Sequence, residues 1–416
     1  MSDIQPFKGL RPKPEYVKKV ASPPFDVLSS QEARKLTQNN RLSFLHVIKA
    51  EIDLDPSIDI HSDQVYTKSA ENLNKLIQDG VFIQDDTPCF YIYQISMGKH
   101  IQKGLMFGAS IDEYEKGLIK KHEYTRKDKE DDRAHHMDIL NANTGPVMLL
   151  YKALHQIDKH METICSTSKP VYDFIAGDGV KHVMWLVSAP DDVGKMQEYF
   201  HPVNALYIAD GHHRSAAAFR VRNLKRKKNE NHTGKEIYNY FLAVAFPDNQ
   251  LQILGYYRIV KDLNNLSSED FMSKVSECFI LTETDDPLPP EKHHFKMYLD
   301  GKWYSLIAKK DSFPPYDPVL CLDVSILQKN ILERVLNISD IRANDRIEFI
   351  GGIRGTKELE RRCNSDMRVA FALYPTTVDQ LINVADKGAV MPPKSTWFEP
   401  KLRSGMVIRK LQESYP

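Results

Sequence analysis

The run Tyr207-Ile-Ala-Asp-Gly-His-His-Arg214 carries the densest chemistry in the chain. An apolar strand there meets a glycine, and polar residues then open a helix. The first turn of a helix has unpaired N–H groups and a partial positive charge. A strand–glycine–helix junction is therefore a natural phosphate cradle. Gly211 has no Cβ, so backbone can come close to an anion there. Arg214 can grip phosphate oxygens through two parallel bonds. His212 or His213 can donate to an oxygen whose charge grows during transfer. Asp210 is a candidate Mg²⁺ ligand, since that ion takes one or two carboxylates together with phosphate oxygens. A plainer reading stands beside this one: an ordinary capped helix with two surface histidines.

A second cluster runs from Lys120 to Arg133 and alternates acid and base through Glu123, Arg126, Glu130 and Arg133. If the stretch is helical, Glu123, Arg126 and Glu130 share a face. One carboxylate would then serve as a base and the arginines as phosphate clamps. The bland alternative is a solvated, salt-bridged helix. The histidine pairs His135-His136, His212-His213 and His293-His294 are poor metal templates, because neighbouring side chains diverge on helices and strands. The basic run from Arg220 to Lys228 suits a helix C-terminus and lacks interleaved aromatics, so it gives no strong nucleic-acid signal. The chain has no GxxxxGK[ST], GxGxxG or GxSxG. The segment Met391-Pro-Pro-Lys-Ser-Thr-Trp-Phe-Glu-Pro-Lys401 is too rich in aromatics and cations for a disordered tail. It is expected to pack over a cleft with Lys394 near an anion, or else to act as a structural lock.

The elements that must position these groups follow from periodicity. Ser29 or Ser30 caps a helix over Gln31–Gln38. Ser43–Ile48 reads as a strand and Asp63–Ile77 as a helix stopped by Asp79-Gly80. Cys89–Ser96 and Leu105–Ile111 read as a hairpin around Gly98. Further strands are expected at Pro146–Tyr151, His182–Ser188, Ala205–Ala209, Tyr240–Phe246, Leu251–Val260, His294–Leu299, Trp303–Ala308, Arg346–Ile350 and Arg368–Leu373. Helices are expected from Asp191 or Asp192 to Phe200, from Ser215 to about Lys228, and over Val324–Leu336. Interleaved strands and helices make the class α/β, or α+β with a mixed sheet. A soft boundary falls near residue 265, dividing 1–265 from 266–416.

Lys+Arg and Asp+Glu are both 56, so the net charge is zero, which argues against a general nucleic-acid coat protein. Hydrophobic content of 42% with 27% charged residues excludes a disordered chain, a collagen and a membrane bundle. Cys89, Cys165, Cys278, Cys321 and Cys363 are scattered without a CxxC. They read as reduced thiols. With no basic leader ahead of an apolar core, a cytoplasmic location without membrane partners is expected.

Several segments carry a family resemblance. They are Pro6-Phe7, Leu10-Arg-Pro12, Pro23-Pro-Phe-Asp-Val27, Ser43-Phe-Leu-His-Val47, His122-Glu-Tyr-Thr-Arg126, Ala209-Asp-Gly-His-His-Arg214 and the Met391–Lys401 run. Together they resemble a family catalogued as domain of unknown function one-thousand-and-fifteen. The DGHHR junction also resembles the phosphate-binding corner of the ParB/sulfiredoxin-like superfamily, which includes free serine kinases. That resemblance implies a ParB/sulfiredoxin-like core with large insertions and a C-terminal α/β extension. Its free serine kinases place a His-Glu pair upstream of such a corner, and His122-Glu123 and Asp210–Arg214 stand in that order, with an insertion between them. The implied activity is transfer of a phosphoryl group from ATP or ADP to the hydroxyl of free L-serine. Glu123 would then accept the hydroxyl proton, assisted by His212 and His213. Asp210, Gly211, Arg214, Arg126, Arg133 and Lys394 would hold the phosphates, with Mg²⁺ on Asp210. Arg11 and Asp26 carry the charges that would meet the substrate's carboxylate and amine. The expected partners are the nucleotide and L-serine, with room for a homodimer. A sulfiredoxin would need a cysteine at the corner, where this chain has His212. The alternative from another class is a nucleotide-binding, ParB-like regulator without turnover.

Overall fold

A computed structural model describes residues 2–412. The chain forms two compact units. The first takes residues up to Lys121, Thr125–Leu251 and the segment from Pro400 on. The second takes His122–Tyr124 and Gln252–Glu399. Residue 265, where the sequence suggests a linker, lies inside the second unit, just past Asn264 and in a turn where both asparagines have positive φ.

In the first unit the strands are β1 (Ile4–Gln5), β2 (Leu10–Pro12), β3 (Phe82–Gln84), β4 (Phe90–Met97), β5 (His100–Ser110), β6 (Ile119–Lys120), β7 (Ala142–Asn143), β8 (Val147–Tyr151), β9 (Tyr172–Ile175), β10 (Lys181–Val187), β11 (Leu206–Asp210) and β12 (Tyr240–Pro247). Its helices are α1 (Val17–Val20), α2 (Ser30–Thr37), α3 (Leu45–Ile48), α4 (Asp63–Gln78), α5 (Ile111–Glu115), α6 (Lys127–Leu140), α7 (His155–Thr167), α8 (Pro190–Phe200) and α9 (His212–Lys228). The main sheet runs β6-β11-β8-β12-β5-β4-β10-β9, with β1 also on β5. It is mixed: β8 runs parallel to β12 and antiparallel to β11.

Alternating apolar residues make this sheet. Phe90, Ile92, Leu105 and Phe107 point to one core, shared with Met161 on α7, Phe200 on α8 and Val221 on α9. A second core gathers Phe44, Leu45, Leu73, Leu76 and Phe82 under α3 and α4. Arg222, 2% exposed, ties α9 to α5 by donating to Asp112 and Glu115, both at 2.6 Å. That clamp holds the helix that begins at the DGHHR junction.

In the second unit the strands are β13 (Gln252–Leu254), β14 (Tyr256–Val260), β15 (Phe279–Thr284), β16 (His294–Leu299), β17 (Lys302–Ala308), β18 (Ile347–Gly351), β19 (Val369–Leu373) and β20 (Trp397–Glu399). The helices are α10 (Ser268–Ser276), α11 (Asp323–Leu327), α12 (Thr356–Cys363) and α13 (Val378–Asp386). A six-stranded sheet runs β15-β17-β16-β19-β14-β18, and β13 pairs with β20. The chain then returns to the first unit, where β21 (Arg409–Lys410) pairs with β7. No helix among the described residues is long and apolar enough to cross a membrane.

Most expected elements are present, so the mixed α/β class holds, and four details differ. Ser43–Ile48 is not a strand: Leu45, His46, Val47 and Ile48 form the short buried helix α3. An apolar run buried on every side shows no period that separates the two states. Leu251–Val260 is two strands, since Gln252–Leu254 pairs with β20 while Tyr256–Val260 pairs with β18 and β19. Val324–Leu336 starts as α11 and continues as a π-helical turn over Gln328–Glu333. Helix α9 starts at His212, three residues before the expected Ser215.

His182, on β10, is buried between two partners. Arg403 donates to its Nε2 at 3.3 Å, and Nδ1 faces the Tyr93 hydroxyl at 2.8 Å. Burial, then the neighbouring Arg403 charge, pushes the imidazole from 6.5 down to about 3. The folded state therefore resists a proton that the unfolded chain accepts, so this contribution is full above about pH 6.5 and is lost as pH falls toward 3. The urea unfolding free energy should decline between about pH 7 and 4. His182→Gln should flatten that decline; an unaltered slope would remove His182 as its source.

Candidate functional site

Strand β11 ends at Asp210, and the next residue, Gly211, turns left-handed with φ 99° and ψ 29°. A side chain there is strained, and a Cβ would stand 3.1 Å from Arg214 Nε. Helix α9 starts at once. Its N-cap offers no side-chain hydrogen bond, and its first turn contains no acid. The first backbone bond of the helix runs from Ser215 N–H to the Gly211 carbonyl at 3.0 Å, so the amides of His212, His213 and Arg214 precede the ladder. This is the donor arrangement an anion needs.

Charge at the corner is organised around Asp210. Lys401 Nζ lies 3.1 Å from Asp210 Oδ2, and an Arg214 nitrogen lies 3.9 Å from the same oxygen. Burial alone would raise this carboxyl, but Lys401 and then Arg214 hold it well below the usual carboxylate range. Arg214 also donates to the Pro146 carbonyl. Asp210 thus already neutralises an ammonium and faces a guanidinium. A divalent cation on it would have to displace Lys401, so Asp210 does not fit the expected Mg²⁺ role.

Arg133 and Arg214 line one small cavity with Phe25, Thr144, Gly145 and Ser404. Arg133 donates to Asp132 at 2.7 Å and lies 4.0 Å over the Phe25 ring. Its charge and that of Arg214 therefore border the same space. His213 Nε2 accepts the Arg126 N–H at 3.1 Å, which leaves Nδ1 to carry the ring proton. Burial lowers the His213 pKa, while the Asp26 charge opposes the shift. His212 is buried in the first turn of α9. Asp26 is exposed in the turn Phe25–Val27.

Other expected residues fall elsewhere. Helix α6 starts only at Lys127, because Arg126 is an extended N-cap with ψ 134°. Glu123, Arg126 and Glu130 therefore do not share a helical face. The Arg126 guanidinium is exposed and paired with Asp128 at 2.8 Å. Glu123 belongs to the second unit with His122, whose carbonyl accepts the Met391 N–H at 2.8 Å. Lys394, also in the second unit, has φ 62°, lies 5.7 Å over the Tyr256 ring, and accepts from Arg258 through its carbonyl at 2.9 Å. Arg11 is not free for a substrate carboxylate. It is 8% exposed and bonded through Nε to Asp85 at 2.9 Å, and Asp85 also accepts the Tyr91 hydroxyl at 2.6 Å.

In the sequence Lys401 stands out only as a cation of the Met391–Lys401 run, with nothing to pair it with Asp210. The one signal was its place in the same motif as Lys394. Ser404 gave no signal. The Arg11 assignment is open to test. Removing one partner of a buried ion pair strands the other, so Arg11→Met should cost about 3–5 kcal/mol of folding free energy by urea unfolding. A variant of unchanged stability would return Arg11 to a binding role.

Among solved structures the chain resembles a free serine kinase in complex with AMP (12% identity, TM-score 0.37, covering 75% of this chain and 93% of that one). It also resembles SbnI with a C-terminal truncation from Staphylococcus aureus (12%, 0.39, 75% and 90%). A third is a conserved hypothetical protein from Pyrococcus furiosus (13%, 0.36, 74% and 95%). No curated protein matches the sequence. The family model described as "Protein of unknown function (DUF1015)" matches residues 4–325, and the chain belongs to that family.

Proposed function

We propose that the protein is a small-molecule kinase that moves a phosphoryl group from ATP or ADP to the hydroxyl of free L-serine, giving O-phosphoserine. The observation that carries this reading is the uncapped, acid-free first turn of α9 behind a left-handed Gly211. Helix N-termini are usually closed by a side chain or balanced by an acid. A helix start that has neither is suited to an anionic group.

In this reading the amides of His212–Arg214 hold the phosphoryl oxygens, and Arg214 and Arg133 offset their charge. Lys401 keeps Asp210 ionised, and Asp210 in turn orients Arg214. The serine oxygen attacks the terminal phosphorus, the bond from phosphorus to the bridging oxygen breaks, and the nucleotide leaves with that oxygen. The hydroxyl proton passes to the Glu123 carboxylate, the role the family resemblance implies. His213, neutral with its proton on Nδ1, donates to a phosphoryl oxygen as its charge grows. Asp26 takes the serine ammonium, and Lys394 adds a cation for the phosphates. Such a transfer gains its rate chiefly from positioning and charge stabilisation. We place it in cytoplasmic amino-acid metabolism.

Purified protein in magnesium buffer should form phosphoserine from serine with ATP or with ADP. Arg214→Ala and Glu123→Gln should each lower the rate by at least about 10²-fold. No product with either donor would end the serine-kinase reading. Thermal stabilisation by nucleotide without product would instead favour a regulator that senses nucleotide.

A further inference from the structure

A second cleft lies in the first unit, away from the DGHHR corner. Strands β8 and β12 separate β11 from β5 in the sheet, and this cleft sits between β4, β5 and α7. It measures about 240 Å³ and is lined by Gln94, Lys103, Asp158, Met161, Glu162 and Gln250, among others. That volume suits a small solute better than a nucleotide.

Its charges are arranged in an unusual way. Gln94 and Lys103 are cross-strand partners on β4 and β5, so both side chains leave the same face of the sheet. Asp158 and Glu162 stand one turn apart on α7 and project together. The Lys103 ammonium makes no ion pair within 4.0 Å among the described residues, and neither do the two carboxylates. Asp158 Oδ1 is buried without a hydrogen-bond partner among the described residues. Burial, then the Glu162 charge, raises the Asp158 pKa, while His155 and then Lys103 oppose the shift. The Gln250 carboxamide oxygen accepts the Lys103 backbone N–H at 2.8 Å, which turns its amide nitrogen outward as a donor.

A cation and a half-buried carboxylate that border one space without pairing leave a gap of opposite charges. Buried polar groups are rarely left unbonded, and each unbonded one is costly. From this geometry we infer that the cleft binds a free α-amino acid. The ammonium would lie against Asp158, and the carboxylate would lie against Lys103 and the carboxamides of Gln94 and Gln250. Glu162, exposed at the rim, sets the side-chain preference: neutral or basic side chains are accepted and acidic ones repelled. This site is independent of the proposed kinase reaction, because it uses none of the corner's residues.

The test is calorimetric titration of the full chain with L-alanine, L-lysine and L-glutamate, none of which carries the hydroxyl that the proposed reaction needs. Propionate and ethylamine serve as controls with one charge each. L-Lysine and L-alanine should bind, L-glutamate and the controls should bind at least about tenfold more weakly, and Lys103→Met and Asp158→Asn should each weaken binding about tenfold or more. Arg214→Ala should leave this binding unchanged even if it abolishes phosphoserine formation. Hydrogen exchange on the unaltered protein provides a second readout: L-lysine should slow exchange in α7 and around Lys103. The inference is overturned if neither L-lysine nor L-alanine binds up to about 10 mM, if the two cleft variants bind as the parent does, or if protection appears at α9 and not at α7.

Discussion

Strand β11 becomes helix α9 within a single residue, and Gly211 makes that change at φ 99°. Any other residue would be strained there and would push its Cβ toward the Arg214 guanidinium. The early start of α9 follows from this turn. So does the direction of its first-turn amides, which leave the end of the strand before the helical ladder begins. Arg222, clamped by Asp112 and Glu115, fixes the far part of the same helix. The corner is thus held by backbone geometry at one end and by a buried guanidinium at the other.

The electrostatics of the corner are layered. Asp210 is a negative centre that keeps Lys401 and Arg214 close, and they keep it ionised against the cost of burial. The partial positive charge of the α9 N-terminus adds to that of these two cations. This balance suits an incoming anion and disfavours a divalent metal on the same carboxylate. Arg133 contributes from α6 while itself balanced by Asp132.

Basic residues buried elsewhere have a different task. Arg11 joins Asp85 near β3, and Arg409 donates to the carbonyls of Tyr240 and Ile237 at 2.7 and 2.6 Å, tying the returning chain beside β12. Burial pushes the Arg409 guanidinium down to about 9, with Tyr240 opposing the shift. Such groups resemble site residues in a sequence because they share the same residue types. What separates them is whether their donors end on protein or border a cleft.

Local patterns were readable wherever a period or a cap acts over three or four residues. The Ser29 cap with Glu32, the α4 amphipathic face and the β4–β5 hairpin all follow from neighbours in the chain. The DGHHR junction was readable for the same reason, since a strand, a glycine and a polar first turn are contiguous. The run at Ser43–Ile48 differs from its expected strand because uniform burial erases periodicity, and the break at Gly255 is hidden because it depends on strand partners far along the chain, Trp397–Glu399 on one side and Ile347–Gly351 on the other. From residue order alone came the α/β class, the strand–glycine–helix junction and the zero charge balance. Which cations are spent and which border open space was settled by folding. Lys401 meets Asp210 across 191 positions and Arg11 meets Asp85 across 74. Coulomb forces follow distance in space, and residue spacing along the chain carries no record of that distance.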